Sequence, residues 1–350
     1  MAARARVTSH RDAFHPRLTN PEPIVRRAPA FGKDDSHIET DLIVIPTDDR
    51  HAWDGMIFRP RHGAIDPRLA VLVIHGSVGH YLSGMPRRLA FHLAQRGYAA
   101  LTANTRMANY GVFFGTGLID RAQLDIAAAV RALRERGFRR IILLGYSMGS
   151  TMVTHYQAVH APPEVIGVCT IAHPLSLPQA LRRRWERFGS IPSYNEMCAI
   201  VTRQMEGRDD PDRDRIIIVR RATGPSDRPE DAEIWTYRTW WHSRGPEALS
   251  AESRRWVGLL RVPLALIQAG ADPLISQAEG SLLATLARDG GCPAAHLEYV
   301  DGANHTFDGH ELDAVNAAVR WVTRLARDAQ RAGRSPPVVR SRTPGRPSTN

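Results

Sequence analysis

The sequence predicts an α/β fold: an open, doubly wound, mostly parallel eight-stranded sheet carrying a largely helical insertion. Three observations lead there. After about residue 36, short apolar runs alternate with helical stretches, the pattern of strands joined by crossover helices. The runs are continuously apolar rather than alternating, as in strands buried on both faces of a parallel sheet. The rhythm breaks once, over residues 175–262, a length too great for a structureless loop in a compact domain.

Taken in order, HIETDLIVIP and HAWDGMIFRP read as two strands, with Asp48-Asp49 as the turn between them. AVLVIHG (70–76) is the third strand, followed by the helical MPRRLAFHLAQRG. YAALTANTR (98–106) precedes RAQLDIAAAVRALRERG, and RRIILLGYS (139–147) precedes MGSTMVTHYQAVH. VIGVCTIAHP (165–174) is the sixth strand; VPLALIQAGAD (262–272) and AHLEYVDGANH (295–305) complete the set. Leu89 and Leu93, then Leu124, Ala128 and Val130, recur at helical spacing and mark faces that pack on the sheet. Gly97 and Gly137 sit where those helices need C-caps.

The 175–262 insertion holds five of the seven tryptophans, Trp185, Trp235, Trp240, Trp241 and Trp256. Most of them are expected to form its own core. It reads as a mostly helical cap over the strand ends, with Arg183–Arg184 and Asp209–Asp210 as exposed charge. The expected organisation is a basic N-terminal tail (1–35), a core made of 36–174 and 263–326, the cap (175–262) and a disordered basic C-terminal tail (327–350).

The formal net charge of +10 lies wholly in the ends: residues 1–33 and 327–350 contribute +5 each. Solvated tails explain this better than a nucleic-acid site, which needs a basic patch on a folded face. The start has no apolar h-region, and no apolar run approaches the roughly 18 residues of a membrane span. The expectation is a cytoplasmic protein. Cys169, Cys198 and Cys292 are too few and too widely spaced for a disulfide framework or a CxxC metal site. His310-Glu311 lacks the second histidine of HExxH, and neither GxxxxGK[ST] nor GxGxxG occurs. No metal or cofactor is expected.

The sharpest feature is Gly145-Tyr146-Ser147-Met148-Gly149, between the apolar IILL and a helical run. A nucleophile on such a strand-to-helix turn sits in a strained backbone, and bulky neighbours two residues away would collide. Ser147 would then project at the carboxyl edge of the sheet, where open α/β sheets bind ligands.

With that motif the chain resembles the α/β-hydrolase fold superfamily over residues 38–326. Gly270-Ala271-Asp272 after the seventh strand and Gly302-Ala303-Asn304-His305 after the eighth continue the likeness, in the family's order of nucleophile, acid and histidine. The resemblance implies a cofactor-free serine hydrolase of carboxylic esters or related acyl bonds, acting on a small-molecule substrate. Ser147 would be the nucleophile, His305 the base and Asp272 the acid. His75, Asp301 and Asp308 are the rivals for the last two roles. His173, His155 and His310 read as satisfied or exposed polar residues. The oxyanion would be held by the backbone N–H of Met148 and one from the His75-Gly76-Ser77-Val78-Gly79 loop, Ser77 first and Val78 second. The HGGG form of one lipase branch is missing. The tryptophans of the cap suggest a pocket for an apolar or aromatic group.

Overall fold

The computed structural model describes residues 37–77, 79–108, 117–206, 211–220 and 232–332. Both basic ends up to residue 36 and from 333, Val78 and Asp209–Asp210 lie outside these. In chain order the strands and helices are β1 (Ile38–Pro46), β2 (Ala52–Pro60), β3 (Leu69–Ile74), α1 (Gly84–Gln95), β4 (Ala99–Ala103), α2 (Ala122–Glu135), β5 (Arg140–Tyr146), α3 (Met148–His160) and β6 (Val165–Ile171). Then follow α4 (Leu177–Phe188), α5 (Tyr194–Glu206), β7 (Ile216–Arg220), β8 (Ala232–Thr236), α6 (Tyr237–Arg244) and the one-turn α7 (Ser253–Trp256). The chain returns to the sheet with β9 (Leu264–Ala269), α8 (Gln277–Asp289), β10 (Ala295–Val300) and α9 (Glu311–Ala332).

Eight strands form one sheet in the order β1-β2-β4-β3-β5-β6-β9-β10. The six from β4 to β10 are parallel to their neighbours, while β2 runs antiparallel to both β1 and β4. Every residue of β3, β4 and β9 is buried, which explains their unbroken apolar runs. One apolar cluster packs α2, α3 and α8 against one face of the sheet, and a second packs α1 and α9 against the other. The buried face of α2 is led by Ile126, Ala129 and Leu133; Leu124 is only half-buried. Helices α1 and α2 end in Schellman turns: Tyr98 N–H donates to Leu93 O and Phe138 N–H to Leu133 O, with Gly97 and Gly137 at positive φ.

Three expectations change. The segment between β6 and β9, expected to be mostly helical, also holds a strand pair: β7 and β8 pair antiparallel as a separate two-stranded sheet. Their alternation is clear in the fold: Ile216 and Ile218 are exposed, whereas Val219 is buried on the segment's own core of Leu181, Trp185, Tyr194, Met197, Val201 and Trp240. The C-terminal boundary also moves, since α9 continues through Ala332, past the expected start of the tail at 327. Lastly, Arg183 and Arg184 are not solvated charge. They pair with Glu279 and Glu233 at 2.8 Å each. Among the described residues no helix is long and apolar enough to cross a membrane.

Candidate active site

The parallel strands all end on one edge of the sheet, and the sequence-predicted residues sit there. Ser147 joins β5 to α3 with φ 52° and ψ −119°, a left-handed backbone that a serine holds only when its surroundings force it. The crowding on either side explains the glycines. A Cβ on Gly145 would strike the carbonyl of Gly149, and one on Gly149 would strike the carbonyl of Ile74. The turn is also pinned from β6, since Ile171 O accepts from Ser147 N–H at 2.8 Å and from Ser150 Oγ at 3.1 Å.

His305 lies in the loop after β10, with Nε2 3.0 Å from Ser147 Oγ. Its Nδ1 is 2.7 Å from Oδ2 of Asp272, in the loop after β9. The other carboxylate oxygen of Asp272 accepts from the backbone N–H groups of Leu274 and Ile275, at 2.7 and 3.1 Å. Those two bonds orient the carboxylate toward His305. The structure thus brings Ser147, His305 and Asp272 into one hydrogen-bonded line. The following helix α8 is capped separately, by a Ser276–Glu279 capping box.

The rivals have other partners. Asp308 accepts from Thr306 Oγ1 and Asn304 Nδ2, and these bonds lower its pKa. Asp301 is exposed. His75, at the end of β3, is fully buried and shapes its loop. Thr105 N–H donates to its Nε2 at 3.2 Å, so its Nδ1 carries the proton and donates to Gly76 O at 2.9 Å. Burial pushes its pKa down to about 4. His155 stacks on Trp256 and neighbours Gln123, and His310 faces Asp313. His173 departs from expectation: it is buried, and neither ring nitrogen has a protein partner among the described residues.

The two expected oxyanion residues flank Ser147. Met148 is the first residue of α3, so its N–H is one of the helix's unpaired donors. The loop after β3 passes close by, and a Cβ on Gly76 would be 3.1 Å from the Ser147 Cβ. Ser77 follows it; its Oγ accepts from Arg244 Nη2 at 2.8 Å.

These residues open into a pocket of about 460 Å³. The sheet edge supplies Ser77, Tyr146, Ser147, Met148 and His305; the inserted segment supplies Leu177, Leu181, Phe188, Arg184, Trp235 and Arg244. Tyr146, the second residue of the Gly145–Gly149 turn, donates its hydroxyl to His305 O at 3.3 Å.

A family model described as alpha/beta hydrolase fold matches residues 70–193. Together with the strand order and the turn at Ser147, this decides the fold. The chain has the α/β-hydrolase fold. Solved structures of that fold agree over most of its length. The esterase Pf2001 of Pyrococcus furiosus superposes with a TM-score of 0.56 at 18% identity, over 86% of this chain and 94% of its own. Est1E of Butyrivibrio proteoclasticus, solved with ferulic acid bound, gives 0.59 at 14% identity, over 81% and 99%. The esterase domain of a Rhodothermus marinus protein gives 0.51 at 17% identity, over 82% and 98%. No curated protein matches the chain in sequence.

Two features of this α/β-hydrolase fold escape sequence reasoning. Arg106, after β4, is buried by two carboxylates: it meets Asp125 through Nε and Nη2 and Asp49 through Nη1 and Nη2. Trp53 Nε1 donates to Asp125 as well, at 2.8 Å. Arg106 holds the Asp49 carboxyl down at about 2. The second feature is Arg244 at the end of α6, hidden in the sequence among 45 other basic residues, all but one of them arginine.

Proposed function

We propose that this protein is a serine hydrolase of carboxylic esters, working through Ser147, His305 and Asp272. The observation that carries the reading is the line Ser147 Oγ–His305 Nε2–His305 Nδ1–Asp272 Oδ2, with steps of 3.0 and 2.7 Å. A serine hydroxyl is a weak nucleophile without an adjacent base. His305 Nε2 takes the Ser147 proton as Oγ attacks the carbonyl carbon, and Asp272 holds the tautomer that leaves Nε2 free. The oxyanion that forms is met by the backbone N–H groups of Met148 and Ser77. Collapse expels the alcohol, protonated by His305, and leaves an acyl-Ser147. Water, deprotonated by His305, then releases the acid. This chemistry needs no cofactor or metal.

The esters follow from the shared fold of the esterases above and from the pocket. Its volume suits a small molecule, and Leu177, Leu181, Phe188 and Trp235 favour an apolar or aromatic group there. In this reading residues 175–262 serve as a cap over the sheet edge.

Fluorophosphonate labelling tests it. Wild type is expected to be labelled and Ser147→Ala not, and a panel of aryl esters is expected to be turned over by wild type alone. A folded wild type that is neither labelled nor active would replace the enzyme with a ligand-binding protein on the same fold.

A further inference from the structure

Arg244 is 3% exposed, yet it lines the pocket. It is a buried cation without a carboxylate of its own: among the described residues none lies within ion-pair distance. Glu233, whose charge acts on Arg244 only from beyond ion-pair distance, pairs instead with Arg184 at 2.8 Å and accepts from Trp235 Nε1 at 3.3 Å. Arg244 donates through Nη2 to Ser77 Oγ at 2.8 Å and to Met148 Sδ at 3.2 Å, and through Nη1 to Ser243 O at 3.2 Å. Its guanidinium also lies 5.3 Å from the centre of the Trp235 ring. Three of the five N–H groups of a guanidinium are thereby used, and no described residue takes the rest. Burial lowers its pKa to about 10, so it remains charged at neutral pH.

A buried, unpaired charge is strongly unfavourable unless a partner compensates it. The neutral groups around Arg244 do so only in part. Among the described residues none supplies Arg244 with a planar anion, and the side of Arg244 open to one is the pocket. We propose that the ester substrate carries a second, free carboxylate close to the scissile bond, and that Arg244 selects it. This inference rests on the serine-hydrolase reading. The location fits: Arg244 touches both residues assigned to the oxyanion, so a carboxylate on it lies only a few bonds from the reacting carbonyl. Arg184 does not compete, since Glu233 neutralises it, and Arg106 is neutralised twice over.

The experiment compares 4-nitrophenyl butyrate with the mono-4-nitrophenyl ester of glutaric acid in wild type, Arg244→Gln and Arg244→Lys. Wild type is expected to prefer the anionic ester in kcat/KM. Arg244→Gln should lose on the order of 100-fold on the anionic ester and about tenfold or less on the neutral one, which loses only the support that Arg244 gives Ser77 and Met148. Arg244→Lys should retain part of the preference. Equal losses on the two esters would overturn the proposal and leave Arg244 as a support for Ser77. Fluorophosphonate labelling of each variant shows that it is folded around an intact Ser147. A second arm needs no turnover: calorimetry on Ser147→Ala with monomethyl and dimethyl glutarate. Tighter binding of the monoanion, lost on adding Arg244→Gln, supports the anion site even if no ester is hydrolysed. Equal binding of the two excludes it. Inert, unlabelled wild type with selective monoanion binding would reject the hydrolase reading alone.

Discussion

On the sheet side of the pocket, Ser147, His305 and Asp272 stand at the ends of β5, β10 and β9, and backbone geometry fixes them. The φ of 52° at Ser147 and the two amides on Asp272 leave each group little freedom. On the facing side, Leu181, Trp235 and Arg244 come from the inserted segment, and side-chain packing fixes them: Leu181 joins the cluster around Trp240, and Trp235 packs against it. The difference separates two tasks. Under the proposed function, the sheet edge reacts with any carbonyl delivered to it, whereas the insertion decides which molecule is delivered. Substitutions at the sheet edge should therefore scale all substrates together, and substitutions across the pocket should reorder them.

The largest effect tests the first half of that contrast. Asp272→Asn keeps the two amide contacts through its oxygen but presents the wrong partner to His305 Nδ1. Turnover should fall by about 10⁴ on neutral and anionic esters alike, with the urea midpoint unchanged. A loss that depends on the ester would mean that Asp272 touches substrate, and the division between the two walls would fail.

The next largest effect contrasts the pocket's two buried arginines. Arg106 is compensated by Asp49 and Asp125, so its role is to tie the β1–β2 turn to α2. Asp125→Ala removes its better-buried partner, leaves the buried guanidinium to Asp49 alone and takes an acceptor from Trp53 Nε1. Stability should fall by about 3 kcal/mol, measured by urea unfolding, while the ranking of esters stays as in wild type. A change of ranking with stability preserved would give Arg106 a part in selection too.

The two walls also differ in how far the sequence reveals them. Ser147 is legible because its turn requires glycines at 145 and 149, and the continuous IILL before it can only be a buried strand. Asp272 and His305 follow from chain order and from strands β9 and β10, though only the family likeness picks them from their rivals. Across the pocket the signals fade. β7 and β8 are only five residues each, with the charged Asp214-Arg215 before one and the helix-opening Thr236-Tyr237 after the other, so their pairing is set by tertiary packing. Arg244 carries no local mark at all. Its significance lies in having no carboxylate within ion-pair distance among the described residues, a fact about three dimensions. His173 is a similar case, for nothing in VIGVCTIAHP announces a histidine whose ring nitrogens meet no partner among the described residues.

That histidine supplies the smallest of the expected effects, on the sheet side. Burial pushes the His173 pKa down from 6.5 to about 3. Above pH 6.5 the ring is neutral in both the folded and the unfolded chain, and it adds no pH dependence. As the pH falls from 6.5 toward 3, the unfolded chain takes up a proton that the folded chain refuses, so stability drops. His75 adds to the same slope down to about pH 4. Replacing His173 by leucine removes two unpaired nitrogens and the titration together. Relative to wild type, His173→Leu should gain about 2 kcal/mol more at pH 5 than at pH 7, read from urea midpoints at the two pH values. The gain at pH 7 itself should be small, because the ring is already neutral there and an apolar replacement of a buried polar group is close to neutral. An equal difference at both pH values would show that His173 titrates normally in the fold and has a partner at the sheet edge after all.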